Sequence, residues 1–90
     1  MKYIEWNRDK NESLKEERDI SFEEISEAIT SKKILDAFDH PNQKKYPKQR
    51  VFVVEIRDYA YFVAYVEDDK KIFLKTIYPD HQLTKKYLRK

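Results

Sequence analysis

Three apolar runs near the C-terminal end dominate the pattern of hydrophobic and polar positions. They cover residues 51–56, 59–66 and 72–78 and are rich in Val, Ile, Phe and Tyr, the side chains that suit a pleated sheet. Two residues separate the first pair of runs and five separate the second pair, whereas a parallel crossover needs about a dozen or more. The spacing therefore predicts a three-stranded antiparallel meander.

The more polar N-terminal part predicts a short strand followed by two helices. Residues 3–6 suit an edge strand, and a mostly polar stretch at about 8–18 suits a surface helix. A capping box opens the next helix, at 22–31, because the Ser21 hydroxyl can accept from the Glu24 amide while the Glu24 side chain accepts from the Ser21 N–H. The apolar residues of this second helix recur on one face, which is expected to pack on the meander.

The remaining segments complete the prediction of a single α+β domain over residues 1–90. Residues 34–39 suit a further strand, 40–49 form a long loop with two prolines, and a short helix docked on the sheet edge begins at about His81. The expected architecture is an antiparallel sheet with a C-terminal three-stranded meander, two N-terminal helices packed on it and a short C-terminal helix. Because the chain has no glycine, Asn or Asp is expected at any left-handed backbone position.

Composition indicates a heavily charged but folded chain. Charged residues make up 40% of the sequence and mean hydropathy is −0.94, yet there are seven Tyr, five Phe and one Trp, more than disordered segments usually carry. The chain has no cysteine for disulfide or thiol chemistry, and no apolar run approaches the ~20 residues of a membrane span. The polar N-terminus does not suit a signal peptide. The sequence therefore predicts a cytoplasmic protein with no membrane partner.

Charge is distributed unevenly along the chain. Residues 1–31 contain five Lys/Arg and nine Asp/Glu, a net charge of −4, whereas residues 32–90 contain fourteen and eight, a net charge of +6. A basic segment with tyrosines among the lysines suits a polyanionic partner such as a nucleic acid. The alternative is that these charges only solvate the outer faces of the helices and strands.

The N-terminal third resembles BrnT-type toxins, the ribonuclease component of a type II toxin–antitoxin system. The resemblance lies in Glu5-Trp6-Asn7, in Lys10-Asn11 and in the run from Ile20 to Glu24, at the family's spacing. It implies an α+β fold related to RelE-type toxins, cleavage of messenger RNA, and neutralisation by a small antitoxin of the BrnA kind. Two stretches differ from the family pattern: Arg18-Asp19 replaces His-Gly, and residues 73–78 contain no arginine. A catalytically inactive module that binds nucleic acid or a protein therefore remains the alternative.

The candidate catalytic residues follow from what RNA cleavage without a metal requires. A base must take the proton of the 2′-hydroxyl, a cation must stabilise the phosphate, and an acid must protonate the leaving oxygen. Lys75, Tyr78 and His81 are the candidates on the C-terminal elements, with Arg57 as a phosphate-binding cation. Each has a simpler interpretation: an exposed lysine, a strand-end aromatic, a helix-start residue and the tip of a hairpin.

The direction in which Lys75 points decides between two interpretations. If Phe73 and Ile77 face the core, Lys75 shares their face, and burial there favours the neutral amine that can move protons. If Leu74 and its alternating neighbours face the core instead, Lys75 is an ordinary exposed lysine.

Further cations with interspersed aromatic side chains suggest an RNA-binding surface, on which phosphates meet Lys or Arg and a base stacks on Tyr. The predicted RNA-binding residues are Lys44, Lys45, Tyr46, Lys48, Arg50, Lys85, Lys86 and Arg89. A solvated loop, or a surface for an acidic patch of an antitoxin, is the alternative. Two histidines without cysteine predict no metal site, and a chain without glycine has no phosphate-binding Gly-rich loop, so no cofactor is expected.

Overall fold

A computed structural model describes residues 2–89 as a mixed α+β domain, in agreement with the predicted class. The described part contains five strands and three helices in chain order. They are β1 (Tyr3–Trp6), α1 (Arg8–Arg18), α2 (Phe22–Thr30), β2 (Ile34–Asp39), β3 (Arg50–Ile56), β4 (Tyr59–Glu67), β5 (Lys71–Pro79) and α3 (His81–Tyr87). No helix within residues 2–89 is long and apolar enough to cross a membrane.

The five strands form one sheet in the order β1-β5-β4-β3-β2. Strands β2 to β5 follow one another as antiparallel neighbours, so the predicted three-stranded meander is part of a four-stranded one. Strand β1 pairs in parallel with β5, from Tyr3 opposite Lys71 to Trp6 opposite Leu74. The prediction of a wholly antiparallel sheet was therefore wrong at this edge, where two helices and three strands separate β1 from its partner in the chain.

The helices lie on opposite faces of the sheet. Helices α1 and α2 bury Leu14, Phe22 and Ile25 against Val63 and Leu74 in the larger apolar core, which defines the helix face of the sheet. Helix α3 lies on the other face, called here the open face, where Leu83 packs against a small cluster of Val51, Phe62 and Ala64. Docking of α3 on the sheet edge was a wrong prediction, because its apolar stripe covers strands β3 and β4 instead.

Asn11 joins α1 to α2 from a buried position. Its side-chain amide donates to Glu23 Oε1 at 2.7 Å, and its Oδ1 accepts from the Phe22 backbone N–H at 2.7 Å. The predicted capping box is present beside it, with Ser21 and Glu24 satisfying each other's backbone N–H groups. Several otherwise unpaired N–H groups at the start of α2 are thus satisfied by side chains.

Strand β5 contains a bulge at Lys75. Leu74 pairs with Tyr65 and Thr76 pairs with Ala64, so Lys75 has no partner on β4. The extra residue allows Leu74 and Ile77, three positions apart, both to be fully buried against the helix face.

Among residues 2–89, five adopt positive φ, and not all of them are the expected Asn or Asp. Asp19, which ends α1 at φ 53°, and Asp58 fit the expectation, whereas Lys32, Lys48 and Arg57 contradict it. Arg57 and Asp58 are adjacent residues of a two-residue hairpin loop, in which the favoured turn needs positive φ at both positions. Turn geometry therefore takes precedence over side-chain preference at these sites, at a cost of about 1–2 kcal/mol for each residue in this region of φ.

Candidate nucleic-acid interface

Four aromatic side chains form a connected cluster on the open face, called here the aromatic cluster: His40, Tyr46, Phe62 and Tyr78. Tyr78 stacks on Phe62 with ring centroids 4.6 Å apart, and the His40 ring contacts Phe62 edge-on at 5.7 Å. The Tyr46 ring lies 4.5 Å from that of His40. The loop between β2 and β3 thus folds back over the sheet and is anchored there by its aromatic residues.

Loop 40–49 is ordered by hydrogen bonds of its own. The Asn42 backbone N–H donates to His40 Nδ1 at 3.0 Å, and the Gln43 side-chain amide donates to the carbonyls of His40 and Gln49. His40 therefore has the turn role that its position before a proline suggests, and the bond from Asn42 places the imidazole proton on Nε2. A loop held in this way presents its outer side chains without a large ordering cost on binding.

The loop lysines are exposed, and one of them lies over Tyr46. Lys44, Lys45 and Lys48 are exposed, and Lys45 Nζ lies 5.4 Å from the centroid of the half-buried Tyr46 ring. Arg50 is placed differently: positions alternate along β3, so it shares the helix face with Phe52 and forms an ion pair with Asp39 at 3.6 Å. Three of the predicted loop cations thus accompany the aromatic cluster, and Arg50 does not.

Tyr78 is the exposed member of the aromatic cluster, at 37% of its accessible surface. Partial burial raises the pKa of its phenol, and the nearby Asp80 and Tyr46 add to the rise, while Arg18 acts against it. Tyr78 is therefore a neutral hydroxyl at pH 7 that can donate a proton but cannot serve as a resting base.

Lys75 is exposed on the open face, which fits the second of the two orientations considered for it. Its Nζ lies 5.4 Å from the centroid of Phe73, the residue two positions earlier, while Leu74 between them is buried in the core of the helix face. The first interpretation, in which Lys75 shares a buried face with Ile77, does not hold, because the bulge changes the alternation after Leu74. At this position Lys75 is suited to pairing with a phosphate.

His81 is the first residue of α3 and lies close to Tyr78, separated from it by Pro79 and the N-cap Asp80. It is exposed and lines a shallow cleft of about 430 Å³ together with Gln82, Lys85 and Lys86. Arg89 is also exposed, just after the helix ends. The predicted cations of the C-terminal helix therefore continue the basic surface beyond Tyr78.

Arg57 is engaged elsewhere. Its guanidinium donates to Glu24 Oε1 at 2.5 Å and to the Asp19 carbonyl at 3.3 Å, and the pairing with Glu24 raises its pKa. These partners belong to the elements of the helix face, so the structure ties Arg57 to α2 rather than to Tyr78 or Lys75.

Sequence reasoning overlooked Arg18 as a member of this site. Its Nη1 donates to the Ile77 carbonyl at 2.5 Å, which brings the guanidinium beside Tyr78. The only signal in the sequence was the occurrence of Arg18 where the BrnT pattern has histidine. Nothing in its local pattern indicates that the end of α1 meets strand β5.

The described residues place no group of three or more His, Asp or Glu side chains where it could hold a metal ion. Residues 12–79 match the model of a family described as a domain of unknown function, DUF4258. Comparisons with curated proteins and with solved structures gave no match.

Proposed function

The chain belongs to the DUF4258 family, and we propose that it is a BrnT-like toxin of RelE type, a metal-independent endoribonuclease that cleaves messenger RNA and is neutralised by a BrnA-like antitoxin. One observation carries the proposal: exposed lysines lie on the loop and the strand that contribute Tyr46 and Tyr78 to the aromatic cluster on the open face of the sheet. Cations for phosphates beside aromatic rings for unpaired bases are the combination that single-stranded RNA requires.

The residues that carry the resemblance to BrnT-type toxins have structural contacts in this chain. Trp6 stacks on Phe22 with ring centroids 5.9 Å apart, Asn11 bonds to Phe22 and Glu23, and Ser21 forms the capping box. They support a common N-terminal architecture more directly than a common chemistry. The proposed chemistry therefore depends on the open face.

The proposed reaction assigns one role to each of three residues. His81 takes the proton of the 2′-hydroxyl as that oxygen attacks the adjacent phosphorus, and Lys75 stabilises the charge on the phosphoryl oxygens. The neutral phenol of Tyr78 donates its proton to the departing 5′-oxygen as the P–O bond breaks. Burial raises the pKa of the Tyr78 phenol, which keeps its proton in place at neutral pH and makes it a weaker acid.

A second candidate function is RNA binding without cleavage. Arg57, the expected phosphate-binding cation, is held by Glu24, and Lys75 lies in the open rather than in a buried pocket. A surface with these features retains affinity for RNA but stabilises a reacting phosphate less strongly.

Incubation of purified protein with messenger RNA in EDTA separates the two candidates. Cleavage that is lost in Lys75→Ala but retained in Lys70→Ala, an exposed lysine of the β4–β5 turn, is the expected result. RNA binding without cleavage by the wild-type protein would favour the second candidate, and absence of both would refute the RNA surface. Growth arrest on expression, relieved by the product of a neighbouring small reading frame, tests the toxin–antitoxin part.

A further inference from the structure

The outer edge of β5 has no strand partner beyond Leu74. Strand β1 ends at Trp6, opposite Leu74, and the described residues place no other strand beside the second half of β5. The Arg18 side chain lies there instead and donates one hydrogen bond to the Ile77 carbonyl.

Arg18 has further donors available. A guanidinium carries five N–H groups, and among residues 2–89 the Ile77 carbonyl is the single hydrogen-bond acceptor of the Arg18 side chain. The described residues also provide no carboxylate in an ion pair with it, in contrast to Arg57 and Arg50. Arg18 is thus a cation held in place by one protein acceptor, with its other N–H groups open to solvent at an exposed position.

Tyr78 follows Ile77 in β5, so the Arg18 guanidinium is bound at the peptide that joins Ile77 to Tyr78. One face of its ring is covered by Phe62, at 4.6 Å and nearly parallel, while 37% of the residue remains accessible. An aromatic ring that stacks on a neighbour and keeps part of its surface accessible is a platform on which a planar base can stack.

We propose that Arg18 and Tyr78 form a one-nucleotide subsite for single-stranded RNA, in which an unpaired base stacks on Tyr78 and its phosphate binds the free N–H groups of Arg18. The inference rests on the RNA-binding part of the proposed function and is independent of cleavage. Duplex RNA does not fit this subsite, because both faces of a paired base are covered by its neighbours in the stack. Arg18 replaces Arg57 here as the arginine that meets a phosphate.

The probe is a 10-nucleotide 2′-O-methyl RNA with one central 2-aminopurine, which has no 2′-hydroxyl to react. Wild-type protein is expected to bind the single strand, and binding should change the 2-aminopurine fluorescence. The duplex of this strand with its complement should bind at least tenfold more weakly. Loss of a stacked base in Tyr78→Ala should weaken binding by about 5- to 150-fold, whereas Tyr78→Phe should stay within about twofold. Tyr3→Ala is the matched control: it removes a tyrosine 75% exposed on edge strand β1, opposite Lys71 at the other end of β5 from Tyr78, and should leave binding unchanged.

Salt dependence identifies the role of Arg18. One lost phosphate contact should reduce the slope of log K against log salt by about 0.7 in Arg18→Gln, a variant that can still donate to Ile77. Arg8→Gln, at the other end of α1 about 15 Å away, should keep the wild-type slope. Tyr78→Ala should also keep the slope, since stacking releases no counterions.

The outcomes separate this inference from the proposed function. Binding without cleavage refutes the nuclease and leaves the subsite intact, whereas cleavage by wild type with unchanged affinity in Tyr78→Ala refutes the subsite. Equal affinity for single strand and duplex also refutes it. If thermal melts show that Tyr78→Ala is unfolded, Tyr78→Leu replaces it, because leucine packs on Phe62 without offering a ring, and wild-type affinity in that variant overturns the proposal.

Discussion

Replacement of Asn11 by alanine should destabilise the fold without touching the proposed RNA surface. Asn11 is 3% exposed, and both ends of its amide are bonded, one to the Phe22 N–H and the other to the Glu23 carboxylate, each at 2.7 Å. Alanine leaves the N–H of Phe22 buried without an acceptor, while the Glu23 carboxylate can turn to water. The expected loss is about 2–3 kcal/mol in the free energy of unfolding, most of it from the unsatisfied N–H.

The pH dependence of the same variant provides an independent check. Asn11 is the main cause that lowers the pKa of Glu23 below its ordinary value of 4.5. A carboxylate with a lowered pKa in the folded state adds stability above that ordinary value, and this stability is lost as pH falls through the folded-state pKa. The stability difference between wild type and Asn11→Ala should therefore narrow below about pH 4.5.

Urea unfolding at 25 °C measures both effects. A loss of about 2–3 kcal/mol corresponds to a midpoint lower by about 1–2 M urea and a melting temperature lower by about 10–20 °C. Asn42→Ala is the matched control, because its Oδ1 also accepts a backbone N–H, that of Lys45, but from an exposed position where water can replace it. A loss below about 1 kcal/mol, or loss of RNA cleavage with unchanged stability, would refute the structural role of Asn11.

Three further substitutions test other parts of the structure. Thr84→Val should cost about 1–3 kcal/mol in urea unfolding, because the buried Thr84 hydroxyl accepts the Ala60 N–H; an unchanged midpoint contradicts this. Lys48→Gly should raise the free energy of unfolding by about 0.5–1 kcal/mol, because glycine adopts the φ of 65° at this position without strain. A lower free energy of unfolding in this variant would show that the lysine is unstrained. Arg57→Ala should leave RNA affinity within about twofold, since its guanidinium already binds Glu24; a larger loss returns Arg57 to the interface.

Elements with strong local signals were predicted closely. Helix α1 spans the predicted residues 8–18, α2 begins at Phe22 as the capping box indicated and ends one residue before the predicted 31, and β2 spans the predicted 34–39. Caps, short loops and runs of β-branched residues act within a few positions of each other, so they can be recognised without knowing the rest of the fold.

Features set by distant parts of the chain were not predicted. The parallel pairing of β1 with β5 joins residues almost seventy positions apart, and the face chosen by α3 depends on the pairing of its Thr84 with Ala60 and of Leu83 with the small core. The position of Arg18 has the same origin, because only the packing of α1 brings it to Ile77. The sequence therefore predicted that cations and aromatic residues lie near Tyr78. It did not predict that Arg18 is the arginine bound to the neighbouring Ile77 carbonyl.

The bulge at Lys75 has a consequence for how relatives of this chain are aligned. In a family member without the extra residue, inward and outward side chains would alternate along the whole strand. The residue aligned with Lys75 would point outward there, and the residue aligned with Thr76 would point into the core. Gap-free matching of the two sequences would then pair outward side chains of one with inward side chains of the other from this point to the end of the strand. Functional lysines in such relatives should be transferred by strand partner, with Ala64 opposite Thr76 as the reference pair, rather than by counting along the chain.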